Sequence, residues 1–138
     1  MVDNEKKNNF SMREILSNIF ENEYIKMELK NNICYIEYKP NTVVDIDIAR
    51  ELYQKRIEMS KHNEQYAMVS DIRNLKSVSK EARDFLEDKN EYISVAAFVV
   101  GNSISKIILN FFLTINKPKV ESKIFTSISE AEEWVNSI

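Results

Sequence analysis

The run YAMVSDI, from Tyr66 to Ile72, decides the fold of this chain. It is short and mostly apolar, which is typical of a central strand that is covered on both faces. A helix that Ser77 or Ser79 can cap follows it and continues to about Asp88. The next apolar run, SVAAFVV from Ser94 to Val100, has the same character. A strand, a helix and a strand in this order need a crossover, so we expect parallel strands with helices packed on the sheet.

The same alternation continues toward the C-terminus. The pattern predicts a third helix that begins at Asn102 or Ser103 and ends at Asn116, before Pro118. A strand over residues 120–126 and a last helix over residues 127–138 follow. Two pairs fit a capping box at the start of this last helix: Ser127 with Glu130, and Ser129 with Glu132.

A β-hairpin precedes the central strand. Polar and apolar side chains alternate from Glu23 to Lys30 and again from Ile33 to Lys39. Asn31-Asn32 lies between the two runs and tolerates the positive φ angles of a two-residue turn. The pattern therefore predicts two antiparallel strands at the start of the sheet.

Asp45 or Asp47 can cap a further helix that continues to about His62. The apolar residues of segment 10–20 fall at helical spacings, which predicts a short amphipathic helix, with a strand as the alternative. Residues 1–9 are predicted to be a disordered arm because they carry few apolar side chains. We therefore expect one α/β domain over residues 10–138. Its mixed sheet has about five strands and about four helices, plus the short N-terminal helix if segment 10–20 is helical.

Composition excludes several classes of protein. Nineteen basic and 22 acidic residues give a net charge of −3, so no nucleic-acid partner is expected. The longest strongly apolar stretch, Ile104 to Ile115, is far shorter than the roughly 20 residues that span a bilayer. The N-terminus shows no secretion signal, and the single cysteine, Cys34, agrees with a reducing compartment. We expect a cytoplasmic protein without a membrane span.

Catalytic chemistry has little support in the sequence. Nucleophilic catalysis needs a base beside the nucleophile, and the only histidine, His62, is predicted to lie at a solvent-exposed helix end. Cys34 alternates within a predicted strand, where cysteine usually acts as a small buried hydrophobic residue. A structural zinc site needs about four Cys or His ligands. We predict no catalytic residue, no metal and no cofactor.

Two strand-to-helix turns are candidates for ligand binding, because open α/β sheets bind ligands at the carboxyl ends of their parallel strands. The candidate residues are Asp71, Arg73, Asn74, Gly101, Ser103 and Lys106. The first turn could bind a polar ligand, or Asp71 bonds its own loop or an arginine such as Arg83. The second turn could bind an anion through helix N–H groups and Lys106, or it is only a tight turn with a serine cap.

The third helix carries a candidate interface. Leu109 and Leu113 lie nearly opposite its broad apolar face, so the sheet cannot cover both surfaces. We assign these leucines, together with Phe112, to the interface. A second copy of the chain, a protein partner, a lipid-like ligand or the N-terminal segment could cover them, and a neighbouring helix is the alternative. Two-fold homodimers are the commonest oligomers, so a homodimer is favoured among the partners.

The order of elements, the Asp that closes the strand in VSDIR (residues 69–73) and the strand–helix units after it resemble the STAS superfamily, which includes the anti-sigma-factor antagonists. Three stretches look like a bacterial branch of STAS-like single-domain proteins whose biochemical role is not established. They are DIRNLKSVSKEARDFL from Asp71, AAFVVGNSISKIILNFFLTINKPK from Ala96, and KIFTSISEAEEWV from Lys123. The resemblance begins near Glu23 and implies a STAS-like fold.

Anti-sigma-factor antagonists carry an Asp-Ser-Ser-Gly motif in the loop after the central strand, and a partner kinase phosphorylates its serine. Residues 74–79 of this chain are NLKSVS, so the motif is absent. Ser77 and Ser79 are still candidate phosphosites, because the dipole and free N–H groups of a helix N-terminus favour a dianion. The alternative is that one of them is an N-cap that contributes about 1 kcal/mol.

The leading functional prediction is a non-catalytic STAS-like domain that acts through protein contacts, with a homodimer as one form. The alternative is a domain that binds a small molecule or a lipid. That ligand would use the edge near Asp71 and Gly101 and the apolar third helix. An enzyme ranks third, since no pair of nucleophile and base is found.

Overall fold

A computed structural model describes residues 18–60, 64–101 and 119–138 of the chain. The strands in these ranges are β1 (Ile19–Glu21), β2 (Ile25–Lys30), β3 (Ile33–Tyr38), β4 (Thr42–Val44), β5 (Tyr66–Asp71), β6 (Leu75–Val78), β7 (Ile93–Val99) and β8 (Glu121–Phe125). The helices in these ranges are α1 (Ile46–Met59), α2 (Lys80–Glu87) and α3 (Ile128–Asn136). The predicted arm at residues 1–9 and the predicted third helix at residues 102–116 lie outside the described residues.

Six strands form a mixed sheet in the order β1-β2-β3-β5-β7-β8. The first three strands are antiparallel, and β3, β5, β7 and β8 are parallel. Asn31 and Asn32 join β2 to β3 with φ angles of 54° and 62°, as a type I′ turn requires. The predicted hairpin and the predicted α/β class are confirmed.

The sheet is larger than the five strands predicted. Ile19–Glu21 is a strand at the edge of the sheet, so the helix predicted for residues 10–20 is wrong at its C-terminal end. Phe20 lies opposite Met27 of β2 and packs on the apolar core, which favours extended pairing over a surface helix. The rest of that segment, residues 10–17, lies outside the described residues.

A second sheet, not predicted, consists of β4 and β6, which pair in parallel as a two-stranded ribbon. We refer to Thr42–Val44 with Leu75–Val78 as the ribbon. The β-branched residues of β4 alternate, with Thr42 and Val44 buried and Val43 exposed. This alternation is typical of a strand with one covered face.

Each described helix begins at a side-chain N-cap, which satisfies a free backbone N–H group of the first turn. The caps are Asp45, bonded to Ile48 N at 2.9 Å, Ser79, bonded to Ala82 N at 3.1 Å, and Ser127, bonded to Glu130 N at 3.2 Å. Asp45, Ser79 and Ser127 are therefore the N-caps among the candidate residues that the sequence left open. Helix α1 ends at Met59, short of the predicted His62, and Ser60 is its C-cap.

Helices pack on both faces of the six-stranded sheet. One apolar cluster joins the sheet to α1 and α2, and a second joins it to α3. Along β5, Tyr66 and Met68 belong to the first cluster, and Ala67 and Val69 belong to the second. Coverage of both faces explains why this strand is a nearly continuous apolar run. We call the first surface the α1–α2 face and the second the α3 face.

Candidate functional site

An ion pair lies at the strand-end edge, which we define as the carboxyl ends of β3, β5, β7 and β8. Asp71 ends β5 and is nearly buried. Arg73 donates to both of its carboxylate oxygens, from Nε to Oδ1 at 2.9 Å and from a terminal nitrogen to Oδ2 at 2.7 Å. Bidentate pairs of this kind are strong and fix the geometry of both groups. The predicted Asp71 and Arg73 therefore form one unit, and the pairing of Asp71 with Arg83 that we considered does not occur.

Gly101 belongs to the same unit because it leaves room for Arg73. A β-carbon placed on Gly101 would lie 3.0 Å from Cγ of Arg73 and 3.2 Å from its Cβ. Since these distances are shorter than ordinary van der Waals contacts, a larger residue would displace the arginine stem. The structure thus brings together Asp71, Arg73 and Gly101. Ser103 and Lys106 lie outside the described residues.

A polar cavity of about 330 Å³ opens beside this ion pair on the α3 face. Three cationic and four acidic side chains line it: Lys26, Lys30, Arg73, Glu28, Glu37, Asp71 and Glu132. The Tyr35 hydroxyl donates to Glu132 Oε2 at 2.6 Å and so links β3 to α3. Burial, together with this bond to Glu132, raises the pKa of Tyr35 to about 12. The hydroxyl keeps its proton near neutral pH, so the cavity is suited to binding a polar molecule by hydrogen bonds.

The remaining sequence candidates lie on the ribbon or at its end. The Asn74 carbonyl accepts a hydrogen bond from Asn41 N at 3.1 Å. Ser77 lies within β6, opposite Val43. Ser79 follows β6, and its hydroxyl caps α2. Of the two candidate phosphosites, only Ser79 therefore lies at a helix N-terminus, and phosphorylation of either serine stays a prediction.

Burial keeps the Cys34 thiol and the Tyr38 hydroxyl in their neutral forms near neutral pH. Burial raises the pKa of the Cys34 thiol to about 12, so the thiolate is scarce at neutral pH. Burial raises the pKa of Tyr38 to about 12 as well. Among residues 18–60, 64–101 and 119–138, no group of three His, Cys, Asp or Glu side chains could bind a metal ion. His62 lies outside these ranges.

One buried charged residue was missed by the sequence analysis. Arg56 of α1 is only 2% exposed. It donates to the Tyr66 hydroxyl at 2.7 Å and to the carbonyls of Glu91 and Lys89 at 2.7 and 2.9 Å. The spacing of Arg56 from its apolar neighbours is the sequence signal that indicates its burial. The buried residues of α1 are Ala49, Leu52, Arg56 and Met59. These positions are three or four residues apart and form one helical face.

An apolar patch at the strand-end edge was also missed. Tyr24 and Val43 are among the large hydrophobic residues that the structure leaves exposed, at 38% and 47%. Thr42, next to Val43, donates its hydroxyl to the Tyr24 carbonyl at 3.3 Å, so the two segments that carry the exposed residues are in contact. We call Tyr24 and Val43 the Tyr24–Val43 patch. The alternation of polar and apolar residues within one strand cannot reveal this patch, because Tyr24 and Val43 come from separate segments.

The charged groups that act on the Tyr24 hydroxyl are acidic. Glu23 accepts a hydrogen bond from the Tyr24 hydroxyl and raises its pKa, and Asp45 and Glu51 raise the pKa further through their charges. The patch therefore has an apolar centre and a rim that carries negative charge near the tyrosine.

The mixed sheet, its N-terminal hairpin and the helices on both of its faces form a STAS-like fold. The solved structure of an uncharacterized protein from the DUF3478 family, from Shewanella loihica PV-4, has a SpoIIAA-like fold and is similar to this chain. The TM-score is 0.58 at 14% sequence identity, over 84% of this chain and 98% of that chain. At this identity the likeness shows the fold alone.

The chain belongs to the family described as Domain of unknown function (DUF7793), whose model matches residues 27–138. A comparison with curated protein sequences gives no match. Within the described residues, every helix is too short or too polar to cross a bilayer.

Proposed function

We propose that this protein is a non-catalytic STAS-like interaction domain and that the Tyr24–Val43 patch contacts a partner protein. The observation that carries the proposal is the exposure of these two side chains on backbone segments that are joined by a hydrogen bond, at the end of the sheet where the ribbon lies. Interfaces typically place aromatic and aliphatic residues in the centre and polar residues on the rim. The patch has this arrangement.

The acidic rim indicates the chemistry of the partner. Glu23, Asp45 and Glu51 all act on the Tyr24 hydroxyl, so a surface that carries arginine or lysine would complement the patch. Charges on the rim mainly raise the association rate, and the buried aromatic group contributes most of the affinity. We therefore expect a basic partner whose binding weakens as the salt concentration rises.

Site-specific photo-crosslinking tests this assignment in cells of the native host. A photo-reactive amino acid at Val43 should give an adduct with one protein, and the same amino acid at Ile19 should not. Ile19 is a matched control because it is also an exposed aliphatic residue, at 42%, on the edge strand β1. With the purified partner, Val43→Asp should raise Kd about tenfold or more, as expected for a central interface residue.

Three outcomes count against the proposal. Equal adducts at both positions would show that crosslinking is unspecific. An adduct whose partner binds the Val43→Asp variant with unchanged Kd would place the interface elsewhere. An adduct with a second copy of this chain would show that the patch is a homodimer interface and does not bind a different protein.

The predicted homodimer interface, Leu109, Phe112 and Leu113, lies outside the described residues and stays a prediction. Light scattering on the wild type, Leu109→Asp and Leu113→Asp tests it. A monomeric wild type at high protein concentration would contradict the homodimer.

A second candidate function is the binding of a polar small molecule. The observation that favours it is the cavity of about 330 Å³ lined by both Asp71 and Arg73. Native mass spectrometry of freshly purified protein should then show a reproducible added mass that decreases in the Arg73→Ala variant. A bare protein mass would contradict a tightly bound ligand.

A further inference from the structure

A second cavity, of about 130 Å³, lies on the opposite side of the sheet from the polar cavity. Leu52 and Arg56 of α1 and Leu86 of α2 border it above the sheet. Strands β3, β5 and β7 form its floor through seven residues: Ile36, Tyr38, Met68, Ser70, Ile93, Ala96 and Phe98. Most of its wall is therefore hydrocarbon.

Small side chains on the floor create this space. Ser70 and Ala96 are short and buried, and each has a larger neighbour two positions away on the same face, Met68 and Phe98. Apolar cavities of roughly 150 Å³ in other proteins bind benzene. The volume here is thus close to what one six-membered ring needs.

The cavity is not purely apolar. Three cationic side chains, Arg56, Lys89 and Lys119, and one carboxylate, Glu87, border it together with the hydroxyl groups of Tyr38 and Ser70. Tyr38 hydrogen-bonds Ser70, and both residues line the floor. Arg56 borders the same space with 2% of its surface exposed. Its bonds run to a hydroxyl and two carbonyls, which are neutral groups.

Within the part of the chain that the structure describes, Arg56 therefore contacts neutral groups, and these include the Tyr53 ring, whose centroid lies 5.6 Å from the guanidinium carbon. No ion pair joins Arg56 to any described carboxylate. Hydrogen bonds offset part of the cost of burying a charge, and an opposite charge offsets more of it. An anionic group placed in the cavity beside Arg56 would lower that cost, whereas a neutral or cationic group would not.

We propose that this cavity binds a small aromatic or branched monocarboxylate about the size of benzoate. The carboxylate lies toward Arg56, and the apolar body lies against the floor between Met68 and Phe98. This site is separate from the Tyr24–Val43 patch and does not depend on the proposed protein contact.

Titration with benzoate, followed by heteronuclear NMR, tests the site and its location. Benzoate should shift the amide signals of the β5 and β7 residues that line the cavity, and of the loop held by Arg56. Benzyl alcohol has nearly the same shape without the charge, and it should bind about tenfold more weakly, because hydrogen bonds to charged groups are the stronger ones. Equal affinities would overturn the assignment of a carboxylate.

Two variants of one strand provide a matched pair. Ala96→Val fills the cavity, and it should weaken benzoate binding by about tenfold or more. Ala97→Val adds the same atoms to the adjacent residue, which belongs to the cluster on the α3 face, and should leave the affinity unchanged. Thermal unfolding of both variants confirms that each is folded during the titration.

Three results would overturn the proposal. They are the absence of any benzoate-induced shift at millimolar concentration, shifts confined to the polar cavity near Asp71, and equal affinities of the Ala96→Val and Ala97→Val variants.

Discussion

Arg56 and Arg73 border the two cavities on opposite faces of the sheet, and the fold uses them in opposite ways. Arg56 is 2% exposed and bonded to a hydroxyl and two carbonyls. The Arg73 side chain is 42% exposed and paired with the Asp71 carboxylate. Arg56 therefore joins neutral groups of the fold by hydrogen bonds, whereas Arg73 is held by an ion pair at the border of the polar cavity.

The largest effect on stability should come from replacing the buried Arg56. Arg56→Met leaves the Lys89 and Glu91 carbonyls without their donor, and we expect the free energy of unfolding to fall by about 3 kcal/mol. Arg50→Met is the matched control, because Arg50 is exposed on the same helix and should change stability by less than about 0.5 kcal/mol. Urea unfolding measures both. Equal losses would contradict a special role for burial.

The titration of two tyrosines at alkaline pH provides a second comparison of the two faces. Tyr38 on the α1–α2 face and Tyr35 on the α3 face both have a pKa raised from 10.0 to about 12. Because the folded state keeps these protons, their contribution to stability is complete below pH 10 and is lost as the pH rises toward 12. For buried Tyr38 the loss is on the order of 3 kcal/mol.

Unfolding experiments from pH 8 to pH 12 measure this effect. Stability of the Tyr38→Phe variant should fall less steeply above pH 10 than that of the wild type, and Tyr35→Phe should show a smaller change because Tyr35 is partly exposed. Identical slopes for the wild type and Tyr38→Phe would refute the assignment.

The helix caps on the two faces of the sheet should contribute equally to stability. Ser79 caps α2 on one face and Ser127 caps α3 on the other. Each change to alanine should lower the free energy of unfolding by about 1 kcal/mol. Ser77→Ala is the control, because Ser77 lies in β6 and its change should cost less than about 0.5 kcal/mol. A larger loss for Ser77→Ala than for Ser79→Ala would mean that the wrong cap is assigned.

The smallest effect should come from the contact between Gly101 and Arg73. Gly101→Ala forces the arginine stem to shift, and since that stem is flexible and partly exposed we expect a loss of about 0.5 kcal/mol. In an Arg73→Ala background, which removes Cγ and keeps Cβ, the same glycine change should cost less. A double-mutant cycle measures the coupling, and a coupling of zero would show that the contact carries no strain.

Most of the sheet could be predicted from the sequence because its signals are local. The alternation in residues 23–39 and the Asn31-Asn32 turn predict the hairpin, and the apolar runs at Tyr66 and Ser94 predict the central strands. The meeting of Asp71 with Gly101 could also be predicted, since both follow neighbouring parallel strands.

The features that could not be predicted depend on contacts between distant segments. The ribbon joins three residues of β4 to four of β6, and neither run is long enough to stand out as a strand. The burial of Arg56 depends on carbonyls 33 and 35 residues further along the chain. The pairing of Asp71 with Arg73 is local, but its bidentate geometry depends on the space that Gly101 provides.

The ribbon has a consequence for the order in which the molecule assembles. Its two strands close a loop of chain that contains all of α1 and β5. Closing a long loop carries an entropic cost that must be met before its contacts can form, so such pairings are slow. We expect Val43 to reach its final position only after the central strand is in place. A partner that binds the Tyr24–Val43 patch would then recognise completed chains and pass over nascent or partly folded ones.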